Sequence, residues 1–63
     1  MNLASNERES TKHQYYSLTG YVVEDEEIKT FELSSDQWEQ IMAGDVVKCK
    51  TSLGNIVEII SIE

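Results

Sequence analysis

The sequence predicts a mainly β domain: a small four- to five-stranded antiparallel barrel or strongly bent sheet with one short α-helix at about residues 35–43. Three observations lead there. A chain of 63 residues has room for one small domain only. From Tyr15 onward, aromatic and β-branched residues recur in short runs at the period of two that strands require. One segment, Leu33-Ser34-Ser35-Asp36-Gln37-Trp38, carries helix-start chemistry instead.

Residues 1–14 read as a flexible polar tail, since Asn6-Glu7-Arg8-Glu9-Ser10-Thr11-Lys12-His13-Gln14 offers no apolar face. A helical turn over residues 4–12 would be marginal in water. Residues 15–63 form the domain. A first strand, 17–24, sets Leu18, Gly20 and Val22 on one side and Thr19, Tyr21 and Val23 on the other. Gly20 inside it signals a bend or a close backbone approach. The acids Glu24-Asp25-Glu26-Glu27 interrupt the pattern and a second strand, 28–33, resumes it. The two make a hairpin whose connection, lacking Gly or Asn, disfavours a two-residue primed turn.

In the helix, Ser34 is the N-cap of a capping box completed by Gln37, and Leu33 with Trp38 forms a hydrophobic staple. Asp36 and Glu39 suit the positive end of the helix dipole. Trp38, Ile41 and Met42 share a face, and Gly44 is placed to end the helix in a left-handed conformation. A third strand, 46–50, alternates Lys48 and Lys50 with Cys49, which reads as core filling. Ser52-Leu53-Gly54-Asn55 is a turn by composition. The last strand, 56–62, has Ile56, Glu58, Ile60 and Ile62 on one face and Val57, Ile59 and Ser61 on the other. Apolar residues on both faces imply a strand covered on both sides, central in a closed sheet or at a subunit interface.

Gly20-Tyr21-Val22-Val23, Phe31-Glu32-Leu33-Ser34, Gly44-Asp45-Val46-Val47 and Gly54-Asn55-Ile56-Val57 together resemble small OB-like or Src-homology-type β-barrels of bacterial and phage proteins. The resemblance covers residues 17–63 and implies a fold; it transfers no function, since this architecture hosts many. Four strands are one short of the usual five. Either the segment near His13–Tyr16 or a second copy supplies the missing pairing.

Composition excludes several classes of function. A lone Cys forms no intramolecular disulfide, which points to a reducing compartment, here the cytoplasm. No apolar run approaches a membrane span, and the first residues lack the apolar core of a secretory signal. His13 and Cys49 are too few for zinc, and four consecutive acids without Gly do not make a calcium loop, so neither a metal nor another cofactor is expected. No phosphate loop or nucleophile motif is present, and an enzyme is not expected.

The charge of −7 is unevenly placed. Residues 1–14 are neutral, whereas residues 15–63 hold ten acids against three lysines. This predicts a non-enzymatic acidic module that binds a basic protein surface, a small regulatory or inhibitory factor of bacterial or phage type. In size and charge it is similar to small acidic phage proteins that imitate nucleic-acid charge. The expected contacts are Glu24, Asp25, Glu26 and Glu27, with Glu32, Asp36 and Glu39 secondary. The alternative is a single-stranded nucleic-acid binder using Tyr15, Tyr16, Lys29, Lys48 and Lys50, though so acidic a chain makes nucleic acid a poor partner. A third reading is a structural homodimer paired through the edge of the last strand.

Overall fold

The computed structural model describes residues 1–11 and 15–63. Its elements are β1 (Asn2–Ser10), β2 (Tyr16–Val22), β3 (Glu27–Leu33), α1 (Ser35–Gln40), β4 (Val46–Ser52) and β5 (Asn55–Ile62). The strands close into a barrel in the order β1-β2-β3-β5-β4, and β4 returns to β1. Neighbours are antiparallel except β3 and β5, which meet in parallel at Glu32 and Asn55. The result is a closed five-stranded barrel with one short helix between β3 and β4, as the sequence predicts.

The fifth strand is the segment read as a tail. β1 pairs with β2 from Leu3 to Ser10 and with β4 from Asn2 to Ala4. It therefore has partners on both edges and forms neither a tail nor a helical turn. Asn2, Glu7 and Glu9 point outward, Ser5 and Arg8 turn inward to hydrogen-bond partners, and the backbone groups pair with the neighbouring strands, the condition a strand in a sheet must meet. Leu3 is fully buried, and buried Ser5 keeps its hydroxyl 2.9 Å and 2.8 Å from the carbonyl oxygens of Met42 and Asp45. One proton serves these two acceptors in turn. His13, in the segment offered as the missing strand, lies outside the described residues.

β1 needs room where it bulges. Ser5 faces Gly20 and Glu7 faces Thr19, so Asn6 is an extra residue. A Cβ on Gly20 would lie 2.5 Å from the Ala4 carbonyl oxygen and 2.9 Å from a Leu3 methyl, so only glycine admits β1 this closely. The core is Leu3, Leu18, Val22, Phe31, Ile41, Val47, Cys49 and Ile56. Burial of Cys49 pushes its thiol pKa up, as expected of a thiol that fills space.

The helix is shorter than the sequence implies. The capping box is formed: the Ser34 hydroxyl accepts from the Gln37 N–H at 3.2 Å, and the Gln37 side chain accepts from the Ser34 N–H at 3.0 Å. The chain leaves the helix at Ile41 in an extended conformation. Gly44, at φ 96°, sits in a later turn and does not end the helix. Ile41 is buried, but Met42 lies beyond the helix and is exposed.

Arg8 supplies what a terminating glycine would have supplied. Its guanidinium donates to the carbonyls of Trp38 and Ile41, both at 2.8 Å, and stacks 3.8 Å from the centre of the Trp38 ring. Trp38 is half-buried against Tyr16, at 5.4 Å between ring centres, and lies outside the central core.

β5 also departs from simple alternation. Two bulges against β4 make Val57 and Ile60 extra residues. Ile56, Ile59 and Ile62 consequently turn toward the core at a spacing of three, while Val57 and Ile60 stand 60% and 49% exposed. The strand is thus covered on one side only.

Candidate functional site

Register decides which surface side chains stand together, because residues directly opposite one another project from the same face. The outward residues of β1, β2 and β3 form successive rows. Glu9, Ser17 and Glu32 make one row, and Glu7, Thr19 and Thr30 the next. A third row crosses four strands as Val46, Ala4, Tyr21 and Ile28. Val23 lies beyond it, and the turn holding Glu24, Asp25 and Glu26 closes the hairpin.

This face is an apolar row with acid on either side. Tyr21 and Ile28 are 39% and 67% exposed, and Val46 and Val23 are exposed as well. No Lys or Arg stands in the two rows holding Glu7, Glu9 and Glu32, because Arg8 points inward to Trp38. The Thr19 and Thr30 hydroxyls meet at 2.8 Å between the acids.

The expected contact residues are in different situations. The Glu24 carboxylate accepts from the Asn2 N–H at 2.9 Å and the Asn2 side-chain amide at 3.1 Å. Those bonds, the backbone one foremost, hold its pKa below the usual carboxylate range. Glu24 is thus engaged in clasping β1 onto the hairpin. Asp25 pairs with Lys29 at 2.6 Å, which raises the lysine pKa, and Glu27 lies 3.9 Å from the same ammonium. Glu26 is exposed at the tip with φ 53°. Glu32 stands at the opposite end of the face and accepts from the Tyr15 hydroxyl, whose pKa is raised by that bond. Asp36 and Glu39 are exposed on α1 and belong to none of these rows.

The nucleic-acid set is dispersed. Lys29 is held by Asp25, and Lys50 lies 3.7 Å from Glu58 on the β4–β5 face. Lys48 is exposed on β4, and Tyr16 is packed against Trp38. Of this set, Tyr15 alone stands on the acid-lined face as an exposed ring, beside Glu32. In OB-type barrels the face of the second and third strands is a common binding surface for oligonucleotides. Here the outward rows of β2 and β3 carry Glu32 and continue onto β1 with Glu7 and Glu9, and they hold no Lys or Arg, a charge opposite in sign to what a phosphate backbone requires.

Sequence reasoning missed Glu7, Glu9 and Ala4 as part of a surface, because their strand was not recognised. It missed Tyr21 and Ile28 because their neighbours are set by cross-strand register. Among the described residues no group of His, Cys, Asp or Glu is placed to hold a metal ion, and no helix is long and apolar enough to cross a membrane. No family model, curated protein or solved structure matches the chain.

Proposed function

We propose that this chain is a non-enzymatic binding module of the cytoplasm, a small regulatory or inhibitory factor of bacterial or phage type acting on a basic protein surface. The observation that carries this reading is the outer face of β1, β2 and β3, where the apolar row through Tyr21 and Ile28 lies between Glu7, Glu9 and Glu32 on one side and the acidic turn on the other. Acids at the rim of such a face steer a basic partner into encounter, and the apolar row keeps it there by excluding water.

The paired change Glu7→Lys/Glu9→Lys tests it. The wild-type chain, immobilised, retains a basic protein from an extract of its source cells at low salt, and the paired variant loses that protein. Retention that ignores both salt and the paired change counts against the proposal.

One observation favours a second reading, a structural homodimer. Beyond Asn55 the strand β5 pairs only with β4 among the described residues, and Val57 and Ile60 are exposed beside its other edge. Two bulges break the straightness that edge pairing needs. Sedimentation at rising concentration decides it: a constant monomer mass dismisses the dimer.

A further inference from the structure

The β4–β5 turn holds a residue that the fold does not use. Leu53 is 98% exposed and has φ 50°, and Gly54 follows at φ 81°. Positive φ at both central residues marks the primed turn that suits a two-residue hairpin, and Asn-Gly or Asp-Gly is the usual filling. A leucine in the left-handed region is strained, and its side chain recovers nothing by packing inside this chain. Asn or Gly there would serve the hairpin better. The turn nevertheless presents four apolar carbons to solvent.

The position of the turn gives the strain a use. The Gly54 carbonyl accepts from the Glu32 N–H at 2.9 Å, and Asn55 pairs with Glu32. The turn that carries Leu53 is therefore tied to the end of the acid-lined face where Glu32, Glu9 and the exposed Tyr15 ring stand. A protruding aliphatic side chain beside carboxylates is complementary to an apolar pocket with Lys or Arg on its rim.

Resting on the function proposed above, we infer that Leu53 is the apolar anchor of this surface, seated in a basic-rimmed apolar pocket of a protein partner. The chain holds it in a strained turn so that it stands clear of the barrel. Affinity gained there is set against stability lost in the free chain, so one substitution moves the two quantities in opposite directions.

Two measurements test this. The first replaces Leu53, and in a control Val57, with photo-leucine in the source cells. Expected is one discrete adduct from position 53, mapped to apolar partner residues flanked by Lys or Arg, and none from position 57. No discrete adduct, the same adducts from both positions, or an adduct between two copies overturns the inference.

The second compares Leu53→Asn with wild type, using the cross-linked protein in purified form. The variant raises the folded-to-unfolded ratio about fivefold and binds about tenfold or more weakly. A variant no more stable than wild type overturns the claim of strain. Unchanged affinity in Leu53→Asn, with loss in Glu7→Lys/Glu9→Lys, removes the anchor and leaves the acidic face standing. The converse result keeps the anchor and removes the acidic reading.

Discussion

β1 and β5 flank β4 on its two edges, and they divide the barrel's needs differently. β1 is polar along most of its length, yet it has a partner on each side, buries Leu3 and Ser5, and carries Glu7 and Glu9 to the outer face. β5 is the most apolar segment of the chain, yet it pairs mainly with β4 and leaves Val57 and Ile60 in solvent. Hydrophobic content therefore does not rank the strands by structural importance. Backbone pairing and a few placed polar contacts tie β1 into the fold, whereas β5 has apolar side chains to spare.

Deleting residues 1–10 should break this contrast most visibly. Cooperative thermal unfolding, followed by circular dichroism, should be lost, because β2 and β4 each lose a neighbour and Leu3 leaves the core. A detachable tail would leave the transition intact. Gly20→Ala comes next. Its Cβ would press on β1 backbone, which cannot swing aside, as well as on a Leu3 methyl, and overpacking of this kind costs about 2–3 kcal/mol in chemical denaturation.

Arg8→Ala follows, at about 2 kcal/mol, for two charge-assisted bonds to helix carbonyls and the stacked indole. Trp38 is the only tryptophan, so its fluorescence should shift in the same variant. Arg8→Lys should not restore the wild-type spectrum, since an ammonium cannot stack flat while donating to both carbonyls. On the other side of the comparison, Val57→Thr and Ile60→Thr should each change stability by less than about 0.5 kcal/mol. A larger loss from either would mean that β5 is covered by something on its exposed side.

The clasp between β1 and the hairpin gives a pH signature. Glu24 has a folded pKa below its ordinary value of 4.5, so the stabilisation from its bonds to Asn2 is complete above that value. It is lost as pH falls through the lower, folded value. The stability difference between wild type and Glu24→Gln should accordingly be constant near neutrality and shrink in acid. A difference that grows in acid would contradict the clasp.

What the sequence disclosed follows from how local each signal is. The capping box needs only Ser34 and Gln37, three residues apart, and it is present as read. Gly20 announced a close approach by being a glycine within a strand. The barrel class was legible, but β1 was not. Its inward positions are Leu3, Ser5, Arg8 and Ser10, shifted in phase by the bulge at Asn6, so no apolar alternation exists to be detected. The bulges at Val57 and Ile60 likewise changed the inward spacing of β5 from two to three. The acidic turn was visible as four consecutive residues, yet Glu24 and Asp25 in it are engaged within the chain. The face that gathers Glu7, Glu9 and Glu32 arises from register across three strands, which no local pattern encodes.

On the function proposed, the position of the acids and not their total charge governs binding. The most direct measurement compares the association rate of the retained basic protein with two variants of equal net charge, Glu7→Lys/Glu9→Lys on the face and Glu58→Lys/Glu63→Lys on β5 and the residue after it. The account predicts a large drop in rate and a flatter salt dependence for the first pair, and values close to wild type for the second. Equal losses from both pairs would contradict it, leaving the charge of −7 as a property of the whole surface.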